Sequence, residues 1–380
     1  MNPGERRKKY EKLGFGLMRL PLLDPDNEQS VDLETVKKMA DTFLSAGFTY
    51  FDTAACYHGG NSEIAFREAV AKRYPRTAYT ITDKLTMFML KKVEEMPDFF
   101  NGQLERLGVD YVDYYLLHGM EYNSYPKAEE FHAFEFAQKL KEKGRVKHLG
   151  FSFHGDAELL EKILTRHPEM EYVQLQLNYL DWEDEHIQSR LCYETAARYG
   201  KPVIVMEPVK GGCLATVPSK AEKLLHDFHP DQSNASWAVR FAASPENVMV
   251  VLSGMSNSDQ MEDNIGYMKY FQPVSREEKD ILKQAVEIIQ NSIEISCTAC
   301  HYCTDGCPKH IAIPEYFALY NDLRRFGPSQ IPNIRRRFHQ LTEKNGKPSD
   351  CIKCGKCEER CPQHLTIRQN LENVSKELLS

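Results

Sequence analysis

Residues 31–53 read VDLETVKKMADTFLSAGFTYFDT. An amphipathic stretch runs to Gly47, which stands where a helix-ending glycine belongs. A short β-rich run, Thr49–Thr53, follows at once and closes on a charged residue, Asp52. The same alternation extends in both directions. β-rich runs fall at Leu13–Met18, Thr49–Thr53, Tyr79–Lys84, Tyr111–His118, Lys147–Ser152, Tyr172–Leu177, Pro202–Glu207 and Val248–Leu252. Helical stretches such as LEKILTRHP and SRLCYETAARYG lie between them. Eight strands alternating with helices over roughly 250 residues predict an α/β fold, a (β/α)8 TIM barrel. An open nucleotide-binding sheet is the alternative, but no GxGxxG follows the first strand.

Catalytic groups of such barrels sit at the C-terminal strand ends. Those ends carry Asp52, Lys84, His118, Ser152, Gln174 or Gln176, Glu207 and the Ser253–Gly254 turn, with Tyr57 in the loop after Asp52. A lone Asp–Lys pair is usually structural, and a lone histidine or tyrosine usually packing. Together at the mouth of one barrel they make a coherent acid–base set. Asp52 would hold Lys84. Lys84 would lower the tyrosine pKa from its usual value of about 10. Tyr57 would then act as a general acid, and His118 would orient a carbonyl.

The 380 residues suffice for one large domain and a small one. A net charge of −7 gives no reason to expect nucleic-acid or membrane binding. The charged N-terminus is not a secretory signal, and no apolar run is long enough to span a bilayer. A cytoplasmic location follows as the expectation. There, structural disulfides are rare, so the 11 cysteines need another explanation.

Cys56, Cys192 and Cys213 are scattered; Cys56, beside Tyr57, reads as a small buried side chain. The rest form two runs, Cys297, Cys300, Cys303, Cys307 and Cys351, Cys354, Cys357, Cys361, each followed by proline. Both read C-x2-C-x2-C-x3-C-P, a spacing suited to 4Fe–4S clusters. Zinc prefers separated CxxC pairs or Cys/His mixtures, and reactive thiols need no such spacing. The boundaries read as a barrel over 1–280, a linker helix over 281–295 and a cluster domain over 296–380. Between the runs, residues 308–350 read as two short helices. This insert carries Lys309, Arg324, Arg325, Arg335, Arg336, Arg337, Lys344 and Lys347. They form either a solvated face or a docking patch for an acidic electron carrier.

The paired runs resemble bacterial-type two-cluster ferredoxin domains. The long insert resembles the mostly helical ferredoxin modules attached to larger enzymes. In two-cluster ferredoxins the fourth cysteine of each run serves the other cluster. That implies Cys297, Cys300, Cys303 and Cys361 on one cluster, and Cys351, Cys354, Cys357 and Cys307 on the second.

GFTYFDTAACY (47–57), ITDKL (81–85) and YYLLHG (114–119) are similar to signature segments of the aldo-keto reductases. The resemblance covers roughly residues 12–270. It implies a catalytic tetrad of Asp52, Tyr57, Lys84 and His118, a nicotinamide dinucleotide (NADP or NAD) and a small carbonyl or alcohol substrate. It places the carboxamide on Ser152 and Gln174. The third member of that set, an asparagine, is replaced by Phe153, so the contact is lost or supplied by His154 or Asn178. It places the pyrophosphate on Lys210, Gly211, Gly212 and Leu214, and the adenosine end on Gly254, Ser256, Gln260, Asp263 and Asn264. NADP-selective members carry basic residues where Gly254 and Gln260 stand, which leaves NADH open. The attached cluster domain resembles the iron–sulfur branch of the family, found mostly in anaerobes.

Nicotinamide moves two electrons and a 4Fe–4S cluster one, so exchange between them calls for a mediator such as a flavin at the barrel mouth. No flavin motif is visible. Three readings stand at this point: an oxidoreductase whose clusters relay electrons to a ferredoxin- or flavodoxin-like carrier, an ordinary NAD(P)H-dependent reductase with structural or redox-sensing clusters, and a non-catalytic electron-transfer or redox-sensing protein.

Overall fold

The computed structural model describes residues 12–25, 27–185, 187–326 and 331–378, with backbone only for 324–326, 332 and 333. Arg324 and Arg325 therefore lie outside the described side chains. The chain forms two compact units. The first runs to Pro208 and resumes over Ser236–Val274; the second joins Val209–Ala235 to the segment from Ser275 onward.

All eight expected strands form, with ends moved by a residue or two. They are Leu13–Gly16 (β1), Tyr50–Asp52 (β2), Thr80–Leu85 (β3), Val112–Met120 (β4), Val146–Phe153 (β5), Tyr172–Gln176 (β6), Val203–Met206 (β7) and Val248–Ser253 (β8). They pair in chain order, all parallel, and β8 returns to β1, so the sheet closes into a barrel. The fold class expected from the alternation is the fold observed.

Helix starts follow local chemistry. Asp32 caps Leu33–Ser45 by accepting from the Thr35 N–H at 3.1 Å. Asp156 caps Ala157–Arg166 by accepting from Leu159 at 2.9 Å. Each cap satisfies an amide that the helix itself cannot.

Side chains alternate along each strand, so one set fills the barrel. Tyr50, Leu116, Tyr172, Ile204, Val250 and Leu252 form one buried cluster there. The Tyr172 ring needs space, and Gly150, its partner on β5, leaves it. A Cβ on Gly150 would stand 2.5 Å from the Tyr172 carbonyl oxygen. This filled floor sets the depth of the barrel mouth. Asp52 pairs with Thr82 in register, so Lys84, two residues on, projects from the same face of β3 one step higher.

In the second unit, the helix expected over 281–295 begins earlier, at Arg276, and ends at Gln290. Ser275 and Glu278 form a reciprocal capping box that fixes the start. Leu282, Ala285 and Ile289 then bury one stripe of that helix. The basic insert forms the two expected helices, Ile313–Phe326 and Ile331–Lys344, and a further helix spans Ile367–Leu378. Tyr316, Phe317, Phe338, Leu371 and Val374 pack between them, together with Cys303, Cys357 and Cys361.

Candidate functional site

Three strand ends of the barrel, β2, β3 and β4, place their polar groups together. Lys84 Nζ donates to Asp52 Oδ1 at 2.5 Å and to the Thr53 carbonyl at 2.7 Å. Both side chains are almost fully buried, Asp52 at 3% exposure and Lys84 at 1%. The same ammonium lies 4.6 Å from the centre of the Tyr57 ring. His118 meets that ring edge-on, with centroids 6.1 Å apart. Thr86 Oγ1 stands 3.2 Å from His118 Nδ1, and the Phe88 ring lies 6.0 Å from the imidazole.

The electrostatics correct one expectation. Lys84 does not bring the Tyr57 phenol below its ordinary value. Burial, followed by the Asp52 carboxylate, pushes that phenol well up. The ammonium that would oppose this is matched by Asp52. Burial likewise drives the His118 pKa well down, helped by the neighbouring Lys84 charge. The site at neutral pH therefore holds a protonated phenol and a neutral imidazole. Burial also lifts the Cys56 thiol to about 12, which makes it inert beside the tyrosine.

Ser152 and Gln174 join this group. Ser152 Oγ accepts from the Gly119 N–H at 2.8 Å, next to His118. Gln174 Nε2 donates to Asp52 Oδ2 at 3.2 Å. Phe153 is buried and brings no amide. Asn178 does not replace the missing asparagine. Its Nδ2 donates to Asp181 at 2.8 Å and to the Glu207 carbonyl at 3.1 Å, and its Oδ1 accepts from the Leu180 and Asp181 amides. At the end of β8, Ser256 N–H donates to Gln260 Oε1 at 2.8 Å, and buried Asn264 donates to Ser253 Oγ at 2.8 Å. Gly254 and exposed Asp263 flank these residues. Lys210, Gly211, Gly212 and Leu214 belong instead to the second unit.

No disulfide joins any of the 11 cysteines. Those of the two runs line two cavities. One is walled by Cys297, Cys300, Cys303 and Cys361. The other is walled by Cys307, Cys351, Cys354 and Cys357. Each cavity thus takes three thiols from one run and the fourth from the other. The thiols line walls; among the described residues no three ligands converge on a point as a single metal ion needs. Burial raises the Cys297 thiol to about 12 and Cys357 to about 11, so thiolates form there only against a cationic group. Four cysteines lining one cavity are the ligand set of a cubic iron–sulfur cluster.

The sequence model of the aldo/keto reductase family matches residues 12–287. The chain belongs to the aldo/keto reductase family. A second model, the 4Fe-4S dicluster domain, matches residues 296–366. Probable aldo-keto reductase 1 of Glycine max is 33% identical over 157 residues, 39% of this chain and 43% of that protein. Aldo-keto reductase str7 of Strobilurus tenacellus is 28% identical over 306 residues, 67% of this chain and 83% of that protein. Among solved structures, an aldo-keto reductase from Klebsiella pneumoniae in complex with NADPH superposes with a TM-score of 0.57 at 18% identity, covering 72% of this chain and 90% of that one.

Two residues of this aldo/keto reductase support the tetrad without having been expected. Thr86 is the first residue after β3, two positions beyond Lys84, and that spacing was a usable signal. Gln103 donates to the Lys84 carbonyl at 2.9 Å and accepts from the Tyr115 hydroxyl at 2.8 Å. It sits on the buried helix face of Phe100, Leu104 and Leu107, where a lone amide among apolar residues marks a structural tie.

Replacing Lys84 leaves the Asp52 carboxylate buried without its cation. Lys84→Met should therefore destabilise the barrel by about 3–5 kcal/mol. Adding Asp52→Asn to that variant should restore much of the loss. Denaturant unfolding of the two variants checks both statements.

Proposed function

We propose that this chain interconverts a small carbonyl compound and its alcohol at Asp52, Tyr57, Lys84 and His118. The observation that carries the reading is the buried Lys84 ammonium, bound to Asp52 on one side and lying over the Tyr57 ring on the other, with His118 alongside. Membership of the aldo/keto reductase family supports it.

The residues fit a nicotinamide dinucleotide at one end through Ser152 and Gln174, and at the other through Gly254, Ser256, Gln260, Asp263 and Asn264. When bound, that cofactor supplies or accepts a hydride. The chain's own residues manage the proton. Thr86 Oγ1 stands 3.2 Å from His118 Nδ1; with Thr86 as the donor, the ring proton would lie on Nε2, available to the substrate oxygen. Neutral His118 polarises the carbonyl by that hydrogen bond. Tyr57 Oη gives its proton to the oxygen as negative charge develops there. Lys84 makes the resulting phenolate tolerable, and Asp52 keeps Lys84 in place. Gln174 steadies Asp52 from its other oxygen.

The cluster domain fits two 4Fe–4S clusters under crossed ligation. Cys297, Cys300, Cys303 and Cys361 would hold one; Cys351, Cys354, Cys357 and Cys307 would hold the second. Bound clusters store and pass single electrons. Arg335, Arg336 and Arg337 are exposed on the helix Ile331–Lys344, and we assign to that face the docking of an acidic electron carrier. Part of its charge is met internally, since Arg337 lies 2.9 Å from Asp322.

Tyr57→Phe should lower carbonyl reduction by about 10²–10⁴-fold while dinucleotide binding persists. In the unaltered protein the phenol's raised pKa keeps it protonated, and the imidazole's lowered pKa keeps it neutral. Reduction rates should therefore stay level from about pH 7 to pH 9. Full activity in the phenylalanine variant would refute the assignment. Crossed ligation makes a separate claim. Cys361→Ser should disturb the cluster held by Cys297, Cys300 and Cys303, and spare the one held by Cys351, Cys354 and Cys357. Electron paramagnetic resonance of the reduced protein reads which signal changes.

A further inference from the structure

The loop after β7 was expected to cradle pyrophosphate, yet its side chains are committed elsewhere. Lys210 is only 2% exposed, and its Nζ donates to Gln363 Oε1 at 2.9 Å. Gln363 is itself buried, two residues beyond Cys361, and lines the cavity walled by Cys297, Cys300, Cys303 and Cys361. Lys210 holds a left-handed backbone at φ +47°, a conformation that costs a non-glycine residue energy unless its surroundings enforce it. Its neighbour Gly211 approaches Thr298, which also lines that cavity. A Cβ on Gly211 would stand 2.1 Å from the Thr298 carbonyl oxygen, so the loop backbone is pressed against the Cys297–Cys300 turn. Cys213 Sγ lies 3.8 Å from the Cys297 carbonyl oxygen. Three contacts, from Lys210, Gly211 and Cys213, thus reach both segments that build one cage. None of these contacts involves the cage of Cys307, Cys351, Cys354 and Cys357.

We propose that Lys210 is a positioning residue of the first cluster cage: held by Gln363, its buried ammonium raises the reduction potential of the cluster bound by Cys297, Cys300, Cys303 and Cys361 above the value that cage would otherwise give. Reduction adds one electron and one unit of negative charge to a cluster. A cation in a low-dielectric surrounding favours that state, and net charge and hydrogen bonding near the sulfurs are what set such potentials. Gln363 plays the part that outer partners play at metal sites generally, fixing the geometry of what lies within. The proposal rests on the reading that the cage holds a 4Fe–4S cluster. Iron and sulfide counts test that reading on their own.

The test uses full-length protein purified without oxygen, carrying both clusters by iron and sulfide analysis. It is titrated with dithionite while the two cluster signals are followed by electron paramagnetic resonance. Lys210→Met should lower one midpoint, with at least a tenfold fall in that cluster's reduction equilibrium, ~59 mV for one electron. The other midpoint should stay in place, and Lys210→Arg should retain the original value. Gln363→Glu adds an opposing charge at the same point and should move the same midpoint in the same direction. That second variant decides the matter if Lys210→Met fails to assemble its clusters. Unchanged midpoints in the variants that assemble, or equal shifts of both clusters, overturn the proposal. So does a loss of dinucleotide affinity in Lys210→Met with both midpoints unmoved, which would return the lysine to the pyrophosphate.

Discussion

A buried ion pair is the constraint on which the barrel site depends. Asp52 and Lys84 sit side by side because β2 and β3 are parallel neighbours in a register that puts both side chains on the inward face. Removing two charges from water is expensive, and the pair persists only because each partner is fully satisfied. Lys84 has the Asp52 carboxylate and the Thr53 carbonyl; Asp52 has Lys84 and Gln174. With those bonds made, the ammonium cannot swing away from the Tyr57 ring. The filled floor of tyrosines and aliphatic residues below supports the pair from beneath.

The same constraint explains why Tyr57 keeps its proton. A free lysine would pull a nearby phenol toward ionisation. A lysine neutralised by its own carboxylate does so weakly, and burial then dominates. The outcome suits a proton donor, which must hold its proton until charge develops on the substrate. His118 is neutral for a related reason: burial and the adjacent ammonium both oppose a second positive charge. Each group is thus held in one protonation state: Tyr57 by burial and the Asp52 carboxylate, His118 by burial and the Lys84 ammonium.

The legible parts were those written in short-range patterns. Strand period and helix-ending signals located all eight strands, and cysteine spacing located both cages, because each depends on neighbours in sequence. The clustering of Asp52, Tyr57, Lys84 and His118 was legible because strand ends of a barrel converge. What stayed hidden depends on distant partners. The occupation of the Asn178 amide by Asp181 and Glu207 leaves no trace in spacing. Lys210 looked like a phosphate ligand in a glycine-rich loop, and its bond to Gln363 joins residues 153 positions apart. The start of the helix Arg276–Gln290 was missed although Ser275 and Glu278 spell a capping box, because its hydrophobic stripe begins only at Leu282.

The most direct measurement follows the hydride itself. Protein purified without oxygen is given dinucleotide deuterated at the nicotinamide C4 position, NADPH or NADH, with a panel of small aldehydes and ketones. The alcohol products are then read by mass spectrometry. Deuterium on the carbinol carbon is the result expected if reduction takes place at the Tyr57–His118 site by direct transfer. Alcohol formed without the label would mean that electrons reach the substrate by another route, and would contradict it.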